Sequence, residues 1–245
     1  MQTHSRHALK NLSVIVPVRN EEANVASLVE EICAALTNHI TFEIIYIDDG
    51  STDMTYAQLK ALQLDYPCLR VIRHASPCGQ STAVRTGVKH AQYGWIATLD
   101  GDGQNDPADI LRLLDVVDDS VELVGGNRRA SRKDTFIKRL SSIIANGVRS
   151  RILKDSTPDT GCGLKLFSRE AFLDLPYFDH MHRFLPALIR RRGGNVISVP
   201  VSHRQRQHGQ SNYGTLDRLF VGIIDLLGVA WLQRRAKIPT IIENE

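Results

Sequence analysis

Between residues 12 and 124, short apolar runs alternate with stretches whose apolar positions recur every three or four residues. Leu12–Val18 is a β-branched run that holds Pro17 near its end, which predicts a strand. In Glu21–Leu36 the side chains of Val25, Leu28, Val29, Ile32 and Leu36 fall on one helical face. The alternation continues with strands over Phe42–Ile47, Leu69–Arg73, Trp95–Leu99 and Val121–Val124. Between them, helices are predicted over Thr55–Leu64, Gln80–Gln92 and Pro107–Val117, the last with proline in its first turn. Such alternation predicts an α/β fold with a doubly wound, mostly parallel sheet. After Gly126 the pattern changes. Thr135–Leu153 reads as a basic amphipathic helix, 155–163 as a loop, Arg183–Arg192 as a helix and Val196–Val201 as a strand. His203–Gly214 is a polar, basic loop, and Thr215–Leu232 is an apolar C-terminal helix.

In open sheets of this kind, ligands bind outside the carboxyl ends of the strands. Two acidic motifs stand there. Asp48-Asp49-Gly50-Ser51-Thr52-Asp53 follows the second strand, and Asp100-Gly101-Asp102-Gly103-Gln104 follows the fourth. The carboxylates of Asp100 and Asp102, with Gln104, form a hard oxygen set suited to Mg²⁺ or Mn²⁺ shared with phosphate. An Asx turn between strand and helix is the plainer alternative, and the strand-end position favours the functional one. Asp48 and Asp49 are placed to accept hydrogen bonds from a nucleobase or ribose, while Ser51 or Asp53 would cap the following helix. No GxGxxG follows the first strand, where Pro17-Val18-Arg19-Asn20 stands instead, so a dinucleotide-dependent dehydrogenase is excluded.

With 245 residues and 42% apolar content, the chain can bury one sizeable core. Its four cysteines, Cys33, Cys68, Cys78 and Cys162, show no zinc-like spacing and fit a reducing compartment, with Cys33 a buried free thiol. The N-terminal residues lack the apolar segment of a signal peptide. Charge is unevenly shared. Residues 1–122 hold 9 Lys/Arg against 17 Asp/Glu, and residues 123–245 hold 21 against 10. An acidic, cation-binding half and a basic half facing an anionic ligand or surface account for that split, with a solvated basic face as the alternative.

The ordered motifs resemble the family 2 glycosyltransferases, and most of all their dolichyl/polyprenyl-phosphate sugar transferase branch, which includes mannosyltransferases. The match is carried by Val16-Pro17-Val18-Arg19-Asn20-Glu21-Glu22, Asp48–Ser51 and Asp100–Gln104. It continues through Gly126-Asn127-Arg128, Asp159-Thr160-Gly161-Cys162-Gly163, His182-Arg183-Phe184 and Arg206–Tyr213. The resemblance implies a GT-A-like nucleotide-sugar-binding fold and inversion at the anomeric carbon. It implies transfer from a GDP- or UDP-linked sugar to a polyprenyl phosphate, with Mg²⁺ or Mn²⁺ as cofactor. Asp100, Asp102 and Gln104 would hold the metal. Asp100, Asp102, Asp159 and Arg206 would be catalytic, with Asp159 orienting the acceptor or closing the donor site. Pro17, Arg19, Asn20, Glu21, Asp48, Asp49 and Gln80 would bind the donor, and Arg128, Lys138, Arg139, Ser142 and Arg206 the acceptor phosphate.

On this reading residues 1–214 are the catalytic domain, with 12–126 its nucleotide-sugar half and 127–214 its acceptor half. Residues 215–245 form an interfacial or oligomerisation helix and tail. Asn212 departs from the branch, which usually has lysine there. The run Phe220–Leu232 is apolar for 13 residues and includes Asp225, short of the roughly 20 a membrane span needs. An interfacial helix is expected, with Trp231, Arg234, Arg235 and Lys237 at headgroup level and Asp217 and Asp225 facing water or a partner helix. The expected location is cytoplasmic, on the inner face of the membrane, with a homo-oligomer allowed and no nucleic-acid partner. A same-fold enzyme acting on a soluble saccharide and a non-catalytic subunit of a membrane glycosylation complex are the competing readings.

Overall fold

The computed structural model describes residues 9–128, 147–205 and 215–238, with the side chains of 215–220 left aside. Among the described residues, seven strands form one sheet: β1 (Asn11–Val18), β2 (Thr41–Asp48), β3 (Leu69–Arg73), β4 (Trp95–Thr98), β5 (Val121–Asn127), β6 (Lys165–Ser168) and β7 (Asn195–Pro200). Their order is β3-β2-β1-β4-β6-β5-β7. All neighbours are parallel except β6, which runs against β4 and β5. The sheet is therefore mixed at its centre, and β6 was legible beforehand only as the Leu-Lys-Leu-Phe run inside a motif.

Helices cover both faces. On one lie α1 (Val25–Leu36), α2 (Thr55–Leu62) and α4 (Asp109–Leu114), packed on Leu12, Val14 and Val16 of β1 and Ile44 and Tyr46 of β2. On the other lie α3 (Gln80–His90), α5 (Arg169–Leu173) and α6 (Leu185–Arg191), in one core with Ile15, Ile45, Ile47 and Ile96, and α7 (Thr215–Arg235) packs on α6. Burial from both sides is why these strands read as continuous apolar runs rather than as alternating ones.

Several boundaries differ from expectation. The first helix starts at Val25 rather than Glu21: the N–H groups of Glu21 and Glu22 are turned to the loop after β2, while the Glu21 carbonyl accepts the Asn24 and Val25 N–H groups in the turn that leads into the helix. The helix expected from Arg183 is a 3-10 turn, Met181–Arg183, followed by α6 with Pro186 in its first turn. Cys33 is half-buried, its sulfur 3.8 Å from that of Cys68. Burial and then the Cys68 sulfur push the Cys33 thiol up to about 12, so it stays protonated. No helix of the described residues is long and apolar enough to cross a membrane.

Candidate active site

The parallel register sets Val18 beside Asp48, so the loops leaving β1 and β2 emerge together. Their polar side chains bind one another. Asn20, in the left-handed region at φ 56°, donates its N–H to Ser51 Oγ (3.0 Å) and accepts from the Thr52 N–H (2.8 Å). The Glu21 N–H donates to Thr55 Oγ1 (2.9 Å), and Glu22 accepts from the Met54 N–H (2.8 Å). Asp53 accepts from the Thr55 N–H (3.0 Å), which gives it the structural role expected of it.

Asp48 and Asp49, the carboxylates expected to meet the donor, bond to neighbouring groups of the chain. Asp48, fully buried, accepts the Ser51 N–H (3.0 Å) and faces Arg73 Nε at 3.0 Å. Asp49 accepts the N–H groups of Cys78 and Gly79, both at 2.8 Å, and lies 2.7 Å from His74 Nδ1. Asp49, His74 and Cys78 form a three-residue cluster of potential metal ligands among the described residues, and these hydrogen bonds account for their closeness. Gly50 lets the two loops meet: at φ 69°, a β-carbon there would stand 2.8 Å from the Pro77 nitrogen. Asp49 thus fixes the segment that delivers Gln80, whose amide donates to Asp100 Oδ1 at 2.9 Å.

Asp100 stands beyond β4, over the loop that leads into β6. A β-carbon on Gly163 would lie 2.1 Å from Asp100 Oδ2, so this carboxylate occupies the space that any other residue's side chain would take. Thr98 ties the same loop down by donating to the Gly163 carbonyl at 2.7 Å. Asp100 keeps a solvent-facing edge, yet burial and then the Asp102 charge push its pKa up, while Lys165, Arg128 and the Gln80 hydrogen bond pull it down. Asp100 borders a cavity of about 140 Å³ that Pro17 and Gln80 also line, together with Lys165, His182 and Arg183. Lys165 was not foreseen as a site residue, although a lysine inside the run Leu164–Phe167 was a legible signal. His182 Nδ1 lies 2.7 Å from Ser81 Oγ. Burial, and then the nearby Lys165, Arg183 and His180, depress the His182 pKa well below its usual value, so the ring is neutral at pH 7.

Arg128 and Asp159, expected at the acceptor site, form a buried bidentate pair. Arg128 Nε and Nη2 donate to the two carboxylate oxygens at 2.8 and 3.1 Å, and its backbone N–H adds a third bond at 3.2 Å. Burial lowers the Arg128 pKa, but hydrogen bonding to Asp159 and that residue's charge outweigh it and raise it. Arg19 is exposed. Lys138, Arg139, Ser142 and Arg206 lie outside the described residues. Arg204, also not foreseen, bridges Glu31 of α1 and Asp106 (2.9 Å to the latter) and donates its N–H to the Gln104 carbonyl at 3.0 Å. It therefore clamps the turn after β4. The Gln104 amide nitrogen reaches the Arg204 carbonyl at 3.5 Å, while the Gln104 N–H donates to Asp102 Oδ1 at 3.1 Å.

A divalent cation fits this turn. Burial and the Asp102 charge raise the cost of ionising Asp100, which a cation held there would relieve, and carboxylate oxygens are the hard donors that Mg²⁺ and Mn²⁺ take.

The profile of Glycosyl transferase family 2 matches residues 13–175. The chain is 34% identical over 233 residues to the dodecaprenyl-phosphate galacturonate synthase of Rhizobium johnstonii, covering 93% of this chain and 69% of that protein. It is 31% identical over 208 residues to the undecaprenyl-phosphate 4-deoxy-4-formamido-L-arabinose transferase of Edwardsiella ictaluri, covering 84% of this chain and 63% of that one. Among solved structures, it resembles a mannosyltransferase from Pyrobaculum calidifontis in complex with GDP-Man and Mn²⁺ (TM-score 0.72, 20% identity, 97% of this chain and 68% of that one). A glucosyl-3-phosphoglycerate synthase from Mycobacterium tuberculosis, in complex with Mn²⁺ and UDP among other ligands, aligns with a TM-score of 0.69 at 19% identity over 96% of this chain and 83% of that one. These structural likenesses establish the GT-A-like fold.

Proposed function

The chain belongs to the family 2 glycosyltransferases, and from that premise we propose that it moves a single sugar from a nucleoside diphosphate donor to a polyprenyl phosphate. The observation that carries this reading is the meeting of Asp100 and Gln80 on the wall of a ring-sized cavity at the strands' carboxyl ends, with Asp102 in the same turn as Asp100. The prenyl-phosphate relatives point to the acceptor.

In the reaction, a phosphate oxygen of the acceptor attacks the anomeric carbon. The new carbon–oxygen bond forms as the bond to the diphosphate breaks, and the configuration inverts. The nucleoside diphosphate leaves with the electron pair. A phosphate monoester has a second pKa of about 6, so its oxygen is already anionic at pH 7 and needs no strong base. Asp100 and Asp102 would hold Mg²⁺ or Mn²⁺, which supplies positive charge to the departing diphosphate. Gln80 holds Asp100 in register, and Arg204 keeps the turn between them and α1 closed. Positioning of this kind, rather than acid–base chemistry, carries the rate.

The carrier's prenyl tail stays in the bilayer, because each buried methylene is worth about 0.8 kcal/mol, so the enzyme works at the membrane surface. Helix α7 exposes Ile223, Ile224, Leu227 and Trp231, with Arg234 and Arg235 at its end. This face docks the protein on the cytoplasmic, inner leaflet. Asp225, expected to face water or a partner helix, instead bonds to His180 at 3.0 Å within the chain.

The test is a screen of radiolabelled UDP- and GDP-sugars with a short prenyl phosphate and Mn²⁺. Label should partition into the organic phase. Transfer only to soluble saccharides, with none to the lipid, would overturn the acceptor assignment.

A further inference from the structure

The described residues hold a second hollow, which the transfer does not use. It is an open groove of about 740 Å³ between the end of α6, the end of α7 and the helical residues 147–153. It shares no lining residue with the active-site cavity. Among the described residues it is lined by four cations, Lys154, Arg190, Arg191 and Arg234, and by no carboxylate. Arg190 donates to Ser156 Oγ at 3.3 Å and Arg191 to the Leu232 carbonyl at 3.0 Å, both uncharged acceptors. The acids close by face other cations. Asp155, next to Lys154, lies 3.4 Å from Arg149, and Glu122, against Gly194, lies 2.9 Å from Arg192.

A cleft lined by one sign of charge focuses its field and concentrates the opposite sign. Arginine's planar fork bonds two phosphate oxygens at once, and lysine adds a point charge. The position in the fold selects the kind of anion. On α7, Arg234 lies four residues on from Ala230, which lines the groove. It also lies seven on from Leu227, which is exposed with Trp231 on the apolar face. Positions three, four and seven apart share a helical face, so Arg234 stands where the groove meets the apolar face. Two more exposed apolar side chains border the groove. Ile152 is in its lining, and Ile238 Cδ1 lies 3.4 Å from where a β-carbon on Gly193 would be. A soluble anion has no use for an apolar rim. A phospholipid does, because its phosphate is joined to acyl chains, and basic clusters beside an apolar face are the usual recognition for anionic headgroups.

We propose that this groove binds the headgroup phosphate of an anionic phospholipid. The inference rests on the membrane-surface reading of α7 and adds to it a headgroup site that α6 and residues 152–154 help to build.

Flotation with two kinds of vesicle tests it, phosphatidylcholine alone and phosphatidylcholine mixed with phosphatidylglycerol, in enough salt to screen long-range attraction. The unaltered protein should bind the mixed vesicles about ten-fold or more tightly. Lys154→Gln with Arg190→Gln and Arg234→Gln removes three exposed cations of the groove. At about five-fold per cation, that preference should disappear. Because the three side chains are exposed, the variant should melt with the unaltered protein. Lys10→Gln with Lys60→Gln and Lys89→Gln removes equal charge from exposed positions outside the groove and should keep the preference. Equal losses in the two variants overturn the proposal, since binding would then follow net charge alone. Hydrogen exchange at residues 190–194 should slow on the mixed vesicles and not with inorganic phosphate at the same concentration. Equal slowing by inorganic phosphate would make this a site for soluble anions and overturn the lipid assignment. The two readings fail separately. Equal flotation on both kinds of vesicle, lost in Leu227→Glu with Trp231→Glu, overturns the groove and leaves the α7 face as the membrane contact. No flotation on either kind overturns both.

Discussion

Asp159→Asn keeps the shape of the side chain and removes the charge that balances Arg128. The two side chains are 10% and 9% exposed and share hydrogen bonds of 2.8 and 3.1 Å. An amide can still accept one of these bonds, but the buried guanidinium loses its bidentate counter-charge. Breaking a buried pair from one side costs about 3–5 kcal/mol, a large part of the roughly 5–15 kcal/mol that stabilises a whole domain. At about 2–4 °C per kcal/mol for a chain of this size, the melting temperature should fall by roughly 6–20 °C. Urea unfolding with the slope held common to all variants reads the loss directly. Replacing both partners, Arg128→Met with Asp159→Leu, should recover most of it, because a buried pair exchanged for packed apolar groups is often close to neutral. Single variants that each lose less than about 1 kcal/mol, the range of an exposed pair, would refute the reasoning. Asp159 would then be open to water and available for the acceptor.

Gly163→Ala places a methyl 2.1 Å from Asp100 Oδ2; Mn²⁺ affinity, measured by calorimetry, should fall about 10–100-fold with the circular dichroism unchanged. His182 is held neutral, with its pKa depressed below that of the unfolded chain. As pH falls below about 6.5 the unfolded state takes up the proton first, so stability should decline by up to about 1.4 kcal/mol per pH unit until the folded pKa is reached; urea melts between pH 7 and 5 should show a shallower slope for His182→Gln. Leu227 and Trp231 are 60% and 59% exposed, so Leu227→Glu with Trp231→Glu should preserve folding yet abolish flotation with anionic liposomes at low salt, and undiminished flotation would remove α7 from the membrane contact.

The strand-end placement of both acidic motifs was legible because apolar periodicity shows where strands stop. Leu69–Arg73 keeps its predicted bounds as β3, set off by Pro67 two residues upstream. Less legible was what each carboxylate does. Asp48 and Asp49 look alike in sequence to Asp100 and Asp102, yet the first pair faces Arg73, His74 and loop N–H groups. Only the folded loops decide that. The contacts that hold the site together are also distant in sequence: Ser81 meets His182 across 101 residues, and Gln104 meets Arg204 across 100. Periodicity carries no information on such pairs. Lys165 left a trace as a cation within an apolar run, but nothing local told which strand it would join or that the strand would run antiparallel.

The most direct measurement is the structure of the purified lipid product. Purified protein, Mn²⁺, the donor selected by the screen and a prenyl phosphate should give one product. Phosphorus and proton NMR should show a single sugar joined through the acceptor phosphate, with its anomeric configuration opposite to that of the donor, and excess EDTA should prevent its formation. A retained configuration, a sugar linked elsewhere than to that phosphate, or full yield in EDTA would contradict the account.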